Sequence, residues 1–493
     1  MSLWASRSAR PKVGAMHRKT KIIATLGPAT NSPDKVSKLV ERGMNVARLN
    51  FSHGTHEDHE TLYNIVRQVA SDMAKPIAIM QDIQGPKIRV GEFPDGEIVL
   101  ATGSTVHLNP GGGLGDSQNI CIAYLECVEM SVGGRVFLAD GVIELEATEV
   151  GDDGVQANVI EGGVLLDHKG VSFPGAKTDL SAVTDRDIED LEFGAKLGVD
   201  LVAASFVNSG ADIRSVREIV GATPIIAKIE TAFGYMNLDD ILSEADGAMV
   251  ARGDLGVELS LESVPWAQYE ILHKANAAGK ISITATEMLE SMVTGPRPTR
   301  AEVADVYRSV LDGTDAVMLS AETAIGKYPT RAVKVMSSIC MEAEQSPSFG
   351  RAKDISGLSV GAAFASATAE ASVDTADRLG LNTIVAFTES GTTARLLAKY
   401  RPRADVYAFT PVDSTYRRMA IYGGIWPMHL DRVHSTDEMI ASAESELLRR
   451  GLVEEGDGLV MVAGVPPNQL ASTNLMKLHV VGSGDVLHPV SDT

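Results

Sequence analysis

Eight short runs of β-branched and aliphatic residues recur between residues 20 and 323, each closing on glycine, polar or charged residues and separated from the next by amphipathic chain. They are TKIIATLGP, MNVARLNFSHG, PIAIMQDIQGPK, DLVAASFV, IIAKIE, GAMVARGDLG, ISITATE and DAVMLSAET. Runs that stay apolar instead of alternating read as strands buried on both faces. Helices are expected at 33–43, 56–74, 184–198, 211–220, 263–278, 299–312 and 329–345. Eight such units predict an α/β fold, a (β/α)8 TIM barrel, whose chemistry sits at the C-terminal strand ends, where the charged residues of these runs fall.

One interval breaks the alternation. Residues 91–173 are rich in Gly, Val, Asp and turn signals such as DDG, with short alternating runs like RVFLAD, and predict a small β domain inserted into a barrel loop. Hinged over the mouth, such a domain is placed to act as a lid. Beyond about residue 350 an Ala- and Ser-rich helix leads into NTIVAFT, DVYAFT, GIWPMHL, GLVMVAG and LMKLHVVG, a second α/β unit with a largely parallel sheet. The expected domains are a tail at 1–17, a catalytic barrel at 18–90 and 174–348, an inserted β lid domain at 91–173 and a C-terminal α/β domain at 349–493.

A chain of 493 residues exceeds one hydrophobic core, which agrees with this division. Its net charge of -21 argues against nucleic acid as a partner, so an anionic ligand needs a local basic pocket. Cys121, Cys127 and Cys340 supply neither a disulfide framework nor a zinc site, and a reducing cytoplasm is expected. No run is long enough to span a bilayer, so no membrane is expected as a partner, and the start with Arg7, Arg10 and Lys12 lacks an apolar h-region. That start reads as a tail, with a transit peptide as the second reading.

Lys228 and Glu230 lie two residues apart in IIAKIE, so they emerge on one face of their strand. Asp254 follows the next apolar run. Two carboxylates that converge on one hard cation, with an ammonium beside them, can hold Mg²⁺ and a phosphate together. An isolated Lys–Glu pair at a strand end is ordinarily only a solvated ion pair. Here Ala227 and Ile229 flank Lys228 inside the apolar run, where an unpaired ammonium is costly. In ARGDLG, Gly253 permits close backbone approach to a ligand.

MNVARLNFSHG at 44–54, DIQGPKIR at 82–89, KGVSFPGAKTDL at 169–180, AKIE, MVARGDLGVE, TATEMLESM, PRPTRAEVADV and VMLSAETAIGKYP occur together and in this order. By these motifs the chain resembles the pyruvate kinase family over essentially its whole length. The resemblance implies a (β/α)8 barrel with an inserted small β-barrel lid domain and a C-terminal regulatory α/β domain, assembled as a homotetramer. It implies phosphoryl transfer from phosphoenolpyruvate to ADP, giving ATP and pyruvate. Glu230 and Asp254 would hold Mg²⁺ or Mn²⁺, and Lys228 would neutralise charge on the transferring phosphate. Arg48 would bind that phosphate, Gly253, Asp254 and Thr286 the substrate carboxylate, and Thr286, Ser320 and Glu322 would form the proton relay. The family pattern brings the nucleotide to Pro28, Asn50, His53, Arg89 and Lys169.

The family's monovalent-cation positions map to Asn50, Ser52, Asp82 and the Ile83 backbone. Yet Lys87 stands where potassium-dependent members carry glutamate, and Gln84 where they carry lysine, so the expectation is that K⁺ is not required. A neutral lineage difference is the other reading. Phe233, Glu287, Tyr307, Arg308 and Ser309 also depart from the family, and Glu287 is a candidate partner of Arg308. Thr388, Ser390, Gly391, Thr392 and Thr393 resemble the family's phosphate loop for a phosphorylated allosteric effector, faced by GVPPNQLAST at 464–473. Two alternatives stay open at this point: a catalytically impaired regulatory paralogue, or a phosphoenolpyruvate or 2-oxo-acid barrel lyase or mutase.

Overall fold

The structure, a computed structural model, describes residues 18–349, 360–465 and 473–483. Eight parallel strands close a barrel in chain order: β1 (Lys21–Thr25), β2 (Val46–Asn50), β3 (Ala78–Asp82), β4 (Leu201–Ala204), β5 (Ile225–Ile229), β6 (Gly247–Ala251), β7 (Ile281–Ala285) and β8 (Ala316–Leu319). β8 pairs back onto β1, with Lys21 opposite Ala316. The helices Pro33–Arg42, His56–Asp72, Asp185–Leu197, Gly210–Val220, Val264–Ala277, Arg300–Leu311 and Pro329–Glu344 fall where the amphipathic stretches put them. Thr55, Thr184 and Thr299 start three of them with reciprocal capping by Asp58, Asp187 and Glu302. Between β5 and β6 the crossover is two short helices, Ala232–Met236 and Leu238–Glu244, divided at Asn237.

The two-residue period of the strands sorts the barrel into layers. Ile22, Ala47, Ile79, Val202, Ala227 and Val250 pack outward against the helices. Ile23, Val46, Met80, Leu201, Ile226 and Met249 pack inward and join the core of the C-terminal domain beneath the barrel. Continued by two more residues, the inward face of β2, β3 and β5 carries Arg48, Asp82 and Lys228 to the C-terminal mouth.

The inserted chain leaves after β3. Eight strands between Glu97 and Ser172 pair as a six-stranded sheet and a two-stranded ribbon around one core containing Val106, Leu108, Val136 and Leu145. The two segments that cross back to the barrel are tied to each other: Val90 donates its N–H to Lys169 and Val171 donates to Ile88, both at 3.0 Å.

In the C-terminal domain the strand order is Ile425–His429, Asp405–Thr410, Thr383–Phe387, Gly458–Ala463, Leu475–Val480, and only the last pairing is antiparallel. Asp315, at the entry to β8, is buried against Arg401 at 2.7 Å and against Lys399 of this domain. Burial would raise its pKa, but Arg401 and Lys399 hold it down to about 2. Residues 1–17 and most of the 464–473 loop lie outside the described residues. Among the described residues no helix is long and apolar enough to cross a membrane.

Candidate active site

Asp82 organises the mouth of the barrel. Its Oδ2 accepts from Arg48 Nε at 2.6 Å and its Oδ1 lies 3.2 Å from Lys228 Nζ. Arg48 also donates to Thr25 Oγ1 at 3.0 Å. Lys228 lies 3.0 Å from Glu230 and donates to Ser205 Oγ at 2.6 Å, and Ser205 in turn donates to the Ile83 carbonyl at 2.7 Å. Burial opposes charge on Lys228, but Asp82 and Glu230 outweigh it and push its pKa up. Burial would raise Asp82, yet Arg48 and Lys228 hold it low. Glu230 is the carboxyl pushed upward, by burial and by the nearby Asp254, while Lys228 and the Phe206 amide at 2.7 Å pull the other way.

Thr286 directly follows β7 with φ of 62°, and Glu287 comes next at 52°. Arg252 holds this unusual turn in place. Its guanidinium donates to the Ala285 carbonyl at 3.2 Å, to Thr286 at 2.6 Å and to Glu287 at 3.1 Å, and pairs with Asp305 at 2.5 Å. Thr286 Oγ1 accepts from the Gly253 amide at 2.9 Å and donates to Ala285 at 2.7 Å.

Arg48, Ser205, Lys228, Glu230, Asp254 and Thr286 line one cavity of about 200 Å³, together with Asn50, Ser52, His53, Gln84, Lys87 and Arg89, whereas Asp82, Ile83 and Gly253 are not in its lining. Pro28 and Lys169 do not line it, nor do Ser320 and Glu322. Pro28 opens a one-turn helix after β1, and Lys169 sits in the paired hinge of the insert. Glu322 is buried behind the wall, where its carboxylate accepts from the amides of Leu289 at 3.0 Å and Ser320 at 2.7 Å. Burial raises its pKa. Of the monovalent-cation positions, Asn50 Oδ1 accepts from the Ser52 amide at 3.3 Å, whereas Asp82 and the Ile83 carbonyl are engaged by Arg48, Lys228 and Ser205. Lys87 pairs with Asp254, its Nζ lying 3.0 Å from the carboxylate.

Sequence reasoning missed Ser205 and Arg252, although both stand in motifs already singled out, LVAASFV and ARGDLG. Of the departures, Gln84 and Lys87 line the cavity and the others do not. Phe233 faces a separate cleft between insert and barrel, Tyr307 packs on the outer barrel core, and Arg308 pairs with Asp312 at 2.8 Å instead of with Glu287. In the C-terminal domain Thr388 Oγ1 accepts from the Gly391 amide at 2.9 Å, Ser390 and Thr392 hydroxyls meet at 2.9 Å, and Thr393 bonds Thr473 at 2.7 Å.

Comparison with known proteins agrees with this architecture. The family described as "Pyruvate kinase, barrel domain" matches residues 17–333, and "Pyruvate kinase, alpha/beta domain" matches residues 366–479. The pyruvate kinase of Geobacillus stearothermophilus is 43% identical over 474 residues, 94% of this chain and 81% of that one. Those of Staphylococcus epidermidis strain RP62A and Bacillus licheniformis are each 41% identical, over 472 and 473 residues, with the same coverage. On the strength of both domain matches and these relatives, the chain belongs to the pyruvate kinase family.

Proposed function

We propose that this phosphotransferase, which moves the phosphoryl group of phosphoenolpyruvate to ADP in glycolysis, works through the charged inward face of β2, β3, β5 and β6. The observation that carries the reading is the convergence of Arg48, Lys228, Glu230, Asp254 and Thr286 on one cavity. Phosphoryl transfer calls for positioning and charge neutralisation more than for covalent chemistry, and this cavity offers both.

The family requires a divalent metal. Glu230 and Asp254 suit one: both donors are oxygen, and the strain of burying Glu230 beside a second carboxylate is what a cation relieves. Two protein ligands match Mg²⁺, which keeps waters and substrate oxygens in its shell, and Mn²⁺ can take the same place. Held there, the ion would supply positive charge to offset the negative charge of the transferring phosphoryl group.

Arg48 and Lys228 hold the phosphate. Each is aimed by Asp82, so neither spends rotamer freedom on finding its position when substrate arrives. Lys228 keeps its charge throughout and stabilises the negative charge that spreads over the phosphoryl oxygens. Gly253, Asp254 and Thr286 hold the substrate carboxylate, with Arg252 fixing the Thr286 turn. Thr286, Ser320 and Glu322 form the proton relay to the enolate, and burial raises the pKa of Glu322. Pro28, Asn50, His53 and Arg89 receive the nucleotide, and closure of the insert brings in Lys169. The enzyme works as a homotetramer in the cytoplasm, without added K⁺, and Thr388, Ser390, Gly391, Thr392 and Thr393 take a phosphorylated activator. The metal, lysine and phosphate ligands are all present, which favours an active enzyme over an impaired paralogue. Pyruvate formation from phosphoenolpyruvate that needs both ADP and Mg²⁺ tests the reading, and folded protein that forms none overturns it.

A further inference from the structure

Lys87 joins two bodies of the protein. It stands at the exit of the barrel, one residue before the paired hinge of the insert, and its Nζ lies 3.0 Å from Asp254 of the barrel and 3.9 Å from Asp140 of the insert. The first is a hydrogen-bonded ion pair; the second stops short of a hydrogen bond. Asp140 sits at the tip of a turn in which Ala139, Asp140 and Gly141 all take positive φ, of 53°, 56° and 87°. Two of these are non-glycine residues, so the turn is held against its intrinsic preference, as backbone at functional positions often is. The same tip touches the barrel helix Arg252–Glu258, where a Cβ on Gly141 would meet Val257 at 3.4 Å. The residue between Lys87 and Asp140 is Gly170, where a Cβ would lie 3.0 Å from Lys87 Cε and 3.5 Å from the Asp140 carboxylate.

Lys87 therefore neutralises a carboxylate assigned above to the divalent cation, while a second carboxylate on the moving domain waits less than one ångström beyond bonding distance. We propose that Lys87 is a charge relay between metal site and lid: it covers Asp254 while the site lacks a divalent cation, and once released it pairs with Asp140 and draws the insert over the cavity. Lys87 and Asp140 act as positioning residues, touching neither phosphoryl group nor carbon. Cation loading and closure are coupled because a cation on Asp254 repels the ammonium from the carboxylate 3.0 Å away toward the one 3.9 Å away. The proposal rests on Asp254 being a metal ligand.

Substrate-free protein tests it. Free Mn²⁺ is followed by its electron paramagnetic resonance signal, and closure by energy transfer between dyes on Val132→Cys of the insert and Glu57→Cys of the barrel, with Cys121→Ser and Cys127→Ser. Lys87→Met removes the competitor of the cation and should tighten Mn²⁺ binding about fivefold, the size expected for a partly exposed ion pair. Asp140→Asn should leave Mn²⁺ affinity within about twofold of the parent, because it lies outside the metal site, yet should abolish the Mg²⁺-dependent change in energy transfer shown by the parent. Unchanged or weaker Mn²⁺ binding in Lys87→Met, a parent without a Mg²⁺-dependent change, or an Asp140→Asn that closes like the parent overturns the relay. Asp254→Asn separates the two failures. If it binds Mn²⁺ as the parent does, the ligand assignment itself falls; if it binds weakly while Lys87→Met is unchanged, only the relay falls.

Discussion

Replacing Lys228 by Met keeps most of the side-chain volume and removes the ammonium. That ammonium lies 3.0 Å from Glu230 and 3.2 Å from Asp82, both buried. At an effective dielectric of 20 each contact carries about 5 kcal/mol of Coulomb attraction before desolvation is counted against it. Buried carboxylates left without their partner cost a folded protein about 3–5 kcal/mol. Asp82 keeps Arg48 at 2.6 Å, so the loss falls on Glu230, whose pKa is already raised by burial and by Asp254 and must rise further. Two effects follow. Divalent affinity weakens, and more so as pH falls, because a protonated Glu230 is a poor ligand. The transferring phosphoryl group also loses its nearest fixed positive charge, worth about 10²–10³-fold in kcat for a preorganised electrostatic group. Raising Mg²⁺ to saturation separates them: it should restore metal occupancy and leave the kcat deficit. The assay is pyruvate formation at saturating phosphoenolpyruvate, ADP and Mg²⁺, at a temperature where the near-ultraviolet circular dichroism of the variant matches the parent. A kcat within about fivefold of the parent under those conditions would refute a transition-state role for Lys228.

Three other outcomes can be checked. The Asp315 carboxyl sits at about 2 in the folded chain, below its ordinary 3.8, so its contribution to stability is complete above about pH 4 and is lost as pH falls toward 2. The loss amounts to about 2 kcal/mol, and the gap in unfolding free energy between parent and Asp315→Asn should close over that interval in urea titrations; a gap independent of pH counts against the buried Lys399–Asp315–Arg401 cluster as a titrating latch. Turnover in tetramethylammonium should stay close to turnover in potassium, and a large loss would mean that Lys87 leaves the monovalent-cation requirement in place. Ser390→Ala combined with Thr392→Ala should abolish activation by a phosphorylated sugar while leaving unstimulated turnover nearly unchanged, and intact activation would remove these hydroxyls from the effector site.

The strands and most of the helices could be read along the chain because both signals are local. Buried parallel strands announce themselves as unbroken apolar runs, and helices by apolar spacing and threonine caps such as Thr184 with Asp187. The insert was visible as a change of period. Its pairing into a six-stranded sheet and a ribbon was not, because register between strands depends on which turns close and on what covers each face. Arg252 escaped notice for a related reason. Its partners are carbonyls about 33 residues onward, and a carbonyl leaves no mark in the sequence.

What the sequence by itself determined was the barrel and the facing of its charged residues: a two-residue period fixes Lys228 and Glu230 to one side of one strand whatever surrounds them. The choice of partners was decided only when the barrel closed. Asp82 holds Arg48 and Lys228 from strands on either side, Lys87 finds Asp254 across 167 residues, and Asp315 meets Lys399 across 84. Such pairings obey distance in space, and a side chain's charge states what it needs without stating which of many opposite charges will be brought within 3 Å.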